Sequence, residues 1–457
     1  MAPDRNSRNE PLLPTQNNQE NTKSDGLFSF NLKTALALIL IFLICAPIAY
    51  LLMDSFMYHF YPGVERIDAS TITEPVKIRE HVNTKRAMTI KSKFKPRSAA
   101  SCGKRIIGYY TGYETPEVTE NQLQKLTHVI YLFAMVQPNG TVKFEDLNTE
   151  RRFLDLRNLA LAMNSRPNLM ISVKGSDRYS LLVSNEEKKK ILIESIASFI
   201  TEHDLDGLEI YWKWPSASDQ RFYTVFIRDL RIKLTNLKRE NEKSDAYLIS
   251  VLVPPSISSL ETTYDLSAFL TDVDFLNVRT YDYDQDKHRI GPHAPLFGGH
   301  QDNIDSTMKY LVCKTKQPRK LNSGLTLYGT IWKNTDLPFR DDSDDIWIET
   351  DNRRGFSTSN VEWGNLTASG WDKQLARFHE ASKSSYIWIE ETRSFMTFDN
   401  ERSLLEKAKY VREHGIGGIT VRSIDQDDEE NTFLNVISSV DVCSRKEKDV
   451  KEYVCPN

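Results

Sequence analysis

The chain of 457 residues carries 59 Lys and Arg against 63 Asp and Glu, a net charge of −4. A prior of roughly 150 residues per domain allows about three domains or one large barrel with additions, and the near-neutral balance argues against a dedicated nucleic-acid binder, which carries a basic excess. Hydrophobic residues at 40% and charged residues at 27% are those of an ordinary globular protein, which excludes wholesale disorder and a polytopic membrane protein.

Residues 1–33 are polar and lack a periodic apolar pattern, so they read as a disordered cytoplasmic tail. From Thr34 to Met53 the run TALALILIFLICAPIAYLLM contains no charge. At about 1.5 Å per residue it matches a hydrocarbon core roughly 30 Å thick, so residues 34–53 are expected to form one transmembrane helix. A secretory signal has a shorter apolar core after a short basic start, whereas this run follows a long polar leader. Arg5, Arg8, Lys23 and Lys33 precede the span and only Arg66 lies close behind it, which puts the amino terminus in the cytoplasm and makes the chain a type II membrane protein. Residues 54–101 read as a stem whose later, basic part is either solvated or touches an anionic surface. With Cys45 inside the span, Cys102, Cys313, Cys443 and Cys455 form an even set able to make two disulfides in an oxidising compartment, the pairing left open. The sequons at Asn139 and Asn365 are usable only on the lumenal or extracellular side.

After Cys102 short β-rich runs alternate with helical stretches. Eight strands are predicted, at Arg105–Tyr110, Thr127–Phe133, Asn168–Lys174, Gly207–Lys213, Tyr247–Val253, Val273–Thr280, Gly324–Gly329 and Gly417–Ser423. Amphipathic helices fit between them, among them Lys188–His203 and one ending at Gly415. Eight such units point to an α/β fold, a (β/α)8 TIM barrel over 102–443, with its site at the carboxyl ends of the strands. The long gap at about 331–400 is expected to hold a small α+β insertion between strands seven and eight, and 444–457 a carboxyl-terminal tail.

The fourth strand carries Asp206-Gly207-Leu208-Glu209-Ile210-Tyr211-Trp212-Lys213-Trp214-Pro215. Here the chain resembles glycoside hydrolase family 18, the chitinases and chitinase-like lectins, whose fourth strand reads D-G-x-D-x-D-x-E and commonly continues into Tyr-Pro. Lys125 to Val129 with Phe133-Ala134 resembles the family's second-strand region. Val273 to Val278 leading to Thr280-Tyr281-Asp282 resembles the sixth, Tyr328-Gly329 the seventh, and Gly417-Gly418 through Ser423, Asp425 and Asp428 the eighth. The likeness runs from Cys102 to about Val440 in the order of the barrel.

Strand alternation puts Glu209, Tyr211 and Lys213 on the barrel face and Leu208, Ile210 and Trp212 toward the helices. The resemblance implies Asp, Asp and Glu at those inward positions. Its Glu protonates the glycosidic oxygen, and the Asp before it orients the acetamido group for substrate-assisted, retaining cleavage. Here Lys213 stands at the acid and Tyr211 at the orienting position. A lysine, with a reference pKa of about 10.4, is a poor acid and cannot return as a carboxylate base. Tyr281 and Asp282 match positions that contact the sugar, yet do not replace the acid. The family's Ser-x-Gly-Gly reads Ser172-Val173-Lys174-Gly175, its sixth-strand Met is Arg279, and its eighth-strand Trp is Arg422. Four cations thus enter the cleft, and Glu209, Asp282 and Asp425 are their expected partners in an ion-pair network. Such a network either plugs the cleft or leaves it binding a modified, anionic glycan. Weak chitooligosaccharide binding through Tyr109, Tyr113 and Trp214 is the third alternative.

His288, His293 and His300 form no familiar metal-ligand spacing, and no phosphate-cradling loop is present, so neither cofactor nor metal is expected. Trp332, Trp347, Trp363, Trp371 and Trp388 read as core by default. The chain is accordingly expected to be an inactive, membrane-anchored, chitinase-like protein serving as a glycan (chitin or chitooligosaccharide-type) recognition or signalling module. A glycosidase with altered chemistry at Lys213 and a purely structural barrel are the alternatives.

Overall fold

Eight short runs rich in Val, Ile and Leu pair parallel, each with its neighbour: Arg105–Tyr110, His128–Val136, Asn168–Lys174, Gly207–Tyr211, Leu248–Val253, Phe275–Val278, Leu321–Thr326 and Gly418–Arg422. The eighth also pairs with the first, Arg105 opposite Gly418, so the sheet closes into a (β/α)8 barrel. The computed structural model describes residues 103–113, 117–175, 177–237, 246–283, 289–299, 302–335, 346–349, 357–440 and 450–456. The tail at 1–33, the candidate span at 34–53 and the stem at 54–101 lie outside them, as do Cys102, Cys443, His288 and His300. Among the described residues no helix is long and apolar enough to cross a membrane.

Alternation along the strands builds two separate apolar layers. Leu208, Ile210 and Trp212 join the shell packed under the helices, while Ile107, Tyr109, Ile130, Leu132, Met170 and Phe275 form a distinct cluster inside the barrel. A polar line also crosses the interior. The Arg105 guanidinium donates to Asn322 Oδ1 at 2.9 Å, Asn322 Nδ2 to Asn277 Oδ1 at 2.9 Å, and Asn277 Nδ2 to Glu209 Oε1 at 2.8 Å. Each buried polar group finds its partner in the next, which keeps the cost of burial low.

The seventh strand differs from its predicted bounds. Leu321–Thr326 belongs to the barrel, and Leu327 N still donates to Arg422 O at 3.0 Å. Beyond it Tyr328–Lys333 leaves to join a five-stranded antiparallel sheet with Ser357–Glu362, Ser394–Phe398, Ser384–Ile389 and Arg377–His379. Among the described residues of this segment there is one 3₁₀ turn, Lys373–Leu375, and no α-helix, so the expected α+β character gives way to β. The cause is a period of two. Ile331, Ile387 and Met396 enter the main core, while their neighbours Trp332, Tyr386 and Phe395 form a patch on the other face with Trp347 and Trp388 against it. Trp363 and Trp371 are buried in the main core.

Cys313, in the helix Ile304–Thr315, bonds Cys455 across 142 residues of sequence, with Cα atoms 5.4 Å apart. The carboxyl-terminal residues are packed as well: Tyr453 stacks on His414 at 4.3 Å, and Lys451 N donates to Glu413 O at 2.8 Å.

Candidate functional site at the carboxyl ends of the strands

Asp206 and Gly207 start the fourth strand for reasons of fit. The Asp206 carboxylate pairs with Arg166 and accepts from Leu169 N at 2.9 Å, tying the strand to its neighbour. A Cβ on Gly207 would lie 2.3 Å from Leu248 O, so only glycine lets the fourth and fifth strands approach. On the outer face Trp212 is buried and stacks on Tyr179 at 5.2 Å, which fixes the strand end that presents Tyr211 and Lys213.

Glu209 is fully buried and meets neutral donors. Its Oε1 accepts from Tyr109 Oη at 2.6 Å and Asn277 Nδ2 at 2.8 Å, and its Oε2 from Ser172 Oγ at 2.9 Å. Burial raises its pKa, against the three hydrogen bonds and the charge of Arg422, which lower it. The expected ion pair to Glu209 is therefore absent: the carboxylate lies too deep, and side chains of its own layer satisfy it. Asp425 departs in the same way, accepting from Thr111 Oγ1, Thr111 N and Gly112 N. Of the expected pairings only Arg279 with Asp282 forms. Asp282 sits at φ 53° and also accepts from Tyr328 Oη at 2.9 Å, so that hydroxyl and the guanidinium hold it together.

The four cations stand at the ends of four strands. Arg279 is buried, its guanidinium 5.0 Å from the Tyr281 ring. Lys174 ends the third strand, in register with Tyr211, and lies 4.9 Å from the Phe133 ring, which in turn meets Tyr211 edge-on at 4.8 Å. Lys213 is exposed, its ammonium 5.9 Å from the Trp214 ring, and Arg422 ends the eighth strand, half-buried. Their charges reach one another. Partial desolvation lowers the Lys213 pKa, Arg279, Arg422 and Lys174 lower it further, and Asp282 opposes them. Burial raises the Tyr281 pKa to about 12, and the neighbouring guanidinium groups of Arg279 and Arg422 offset part of that.

Two residues expected to stack on sugar are placed otherwise. Tyr109 is buried beneath the site as a donor to Glu209, and Tyr113 is 57% exposed with its ring against Arg152, 5.0 Å away. Trp214 remains half-buried beside Lys213. Sequence reasoning did not assign Ser172, Asn277, Phe133 and Tyr328 their contacts, although strand parity offered a signal for the first two, which face inward level with Glu209. Asn139 and Asn365 are exposed. His293 is buried, its ring nitrogens 3.0 Å from Thr326 Oγ1 and 3.3 Å from Thr397 Oγ1, a packed histidine without ligand geometry.

Comparison with known proteins agrees with this architecture. A putative chitinase of Margaritifera margaritifera is 24% identical over 345 residues, covering 70% of this chain and 71% of the relative. The crystal structure of an Ostrinia furnacalis Group IV chitinase in complex with allosamidin superposes with a TM-score of 0.63 at 22% identity, over 74% of this chain and 98% of that one. A Nicotiana tobaccum class V chitinase in complex with NAG4 does so with a TM-score of 0.65 at 15% identity, over 75% and 99%. The profile of glycosyl hydrolases family 18 matches residues 105–427, more than half of the sequence and the whole circuit of strands, and the chain belongs to that family.

Proposed function

We propose that this protein is a non-hydrolytic, chitinase-like glycan-recognition module, carried by the span at 34–53 with its barrel on the lumenal or extracellular side. The observation that carries the reading is Lys213. Its ammonium stands two residues beyond Tyr211, where the family pattern has its proton-donating Glu. Loss of a placed acid/base costs roughly 10²–10⁴ in rate, and positive charge beside a developing oxazolinium cation adds to the barrier. On that face of the chain Glu209 lies two inward positions below Lys213, with Tyr211 between them, and is engaged by three donors. Binding of a glycan is supported by the complexes of the two structural neighbours, with allosamidin and with NAG4.

The test is incubation of the full chain with labelled chitohexaose while reducing ends and binding heat are followed separately. Heat without reducing ends is the expected result; release of reducing ends overturns the non-hydrolytic reading. The lowered pKa of Lys213 favours a second reading, in which its ammonium serves as the acid. Turnover that disappears in Lys213→Ala would establish it.

A further inference from the structure

We infer that the glycan taken by this cleft is acidic, bearing carboxylate or sulfate groups, and that Lys174, Lys213 and Arg422 bind its charge. This rests on the glycan-recognition reading above.

The distribution of partners carries the inference. Of the four cations, the buried one, Arg279, has a carboxylate, Asp282. The other three are at least partly exposed, and among the described residues they have no ion-pair partner. Counted among the described residues with Glu209, Asp282 and Asp425, the cluster keeps a positive excess of 4 − 3 = 1 even with all three carboxylates ionised, and burial shifts Glu209 toward its neutral form. A salt-bridged plug would pair these charges, because converging like charges cost free energy. Here they converge unpaired from the third, fourth and eighth strands at the face where this fold binds ligands.

The neighbouring surface suits a sugar more than a bare anion. Lys174 lies by Phe133 and Lys213 by Trp214, both rings half-buried. An aromatic face takes the apolar side of a pyranose ring, while an adjacent ammonium or guanidinium takes its acidic substituent through a charge-assisted hydrogen bond. A neutral chitooligosaccharide has nothing to satisfy three cations and must displace their water without return.

The experiment is calorimetric titration of the full chain with three probes of matched length: neutral chitohexaose, an alternating glucuronate and N-acetylglucosamine hexasaccharide, and a single-stranded oligonucleotide. At low salt the acidic hexasaccharide is expected to bind about tenfold more tightly than the neutral one, with a preference that shrinks as salt screens the contacts. Lys174→Ala, Lys213→Ala and Arg422→Ala each weaken the acidic probe by about 3–10-fold, while Lys213→Arg restores it and Lys188→Ala on the helical shell changes nothing. Unaltered thermal midpoints show that the variants are folded. Equal or tighter binding of the neutral probe overturns the inference and leaves the glycan reading standing; binding of neither hexasaccharide overturns both. Acidic binding indifferent to the three alanines, or matched by the oligonucleotide, overturns it as attraction without a glycan site.

Discussion

Glu209 and His128 are both buried titratable groups of the barrel, and burial moves them in opposite directions. The Glu209 pKa is raised, so its contribution to stability is present below the ordinary carboxylate range and is lost as pH rises through its folded value. His128, beneath the site, has its Nδ1 2.8 Å from Thr127 Oγ1 and its Nε2 accepting from Asn168 Nδ2 at 3.2 Å, and desolvation followed by the charge of Arg105 lowers its pKa to about 3. Its contribution is present above about 6.5, the unfolded value, and is lost as pH falls toward 3. In denaturant titrations from pH 7 to pH 4, this residue is expected to remove about 1.4 kcal/mol of stability per pH unit below 6.5. His128→Asn should flatten that limb, and an unchanged slope would refute the assignment. At this scale the sequence was legible where alternation alone decides, as for Glu209 facing inward. It was illegible where depth decides. Glu209 and Asp425 looked like ion-pair partners because they are acids near cations, whereas neutral donors satisfy both oxygens of Glu209 and hold Oδ2 of Asp425, whose Oδ1 is buried without a partner among the described residues.

Elements show the same division. The eight barrel strands were readable because each is a short β-rich run between helices, and parallel strands need such crossovers. The seventh was misjudged because Gly324 to Gly329 is uninterrupted in pattern, while hydrogen bonding turns the chain out after Leu327. The sheet beyond it keeps a two-residue period through Ile331 and Trp332, which a coarse count of helical and strand-like runs does not resolve. The fourth strand is the element on which the site depends, and its tightest point is Gly207. Gly207→Ala sets a methyl group 2.3 Å from Leu248 O, so a loss of about 1–3 kcal/mol is expected, as in other overpacked cores. The drop is readable as a lower urea midpoint. On the proposed function it should be accompanied by weakened glycan binding, since Tyr211 ends this strand and Lys213 follows two residues on; a variant as stable as wild type would contradict the close approach.

For the molecule as a whole, the cross-link between Cys313 and Cys455 ties the carboxyl terminus to the helix that precedes the seventh strand. Restricting so long a loop in the unfolded chain is worth about 2–5 kcal/mol, so Cys455→Ser is expected to lower the thermal midpoint clearly, and an unchanged midpoint would argue against the bond. Such a bond persists in an oxidising compartment, and the sequons at Asn139 and Asn365 are exposed on the fold. It has a practical corollary for anyone handling the protein. A protease that nicks the backbone anywhere between those two sulfurs yields pieces that still migrate together on a gel, and only a reductant in the loading buffer will separate them.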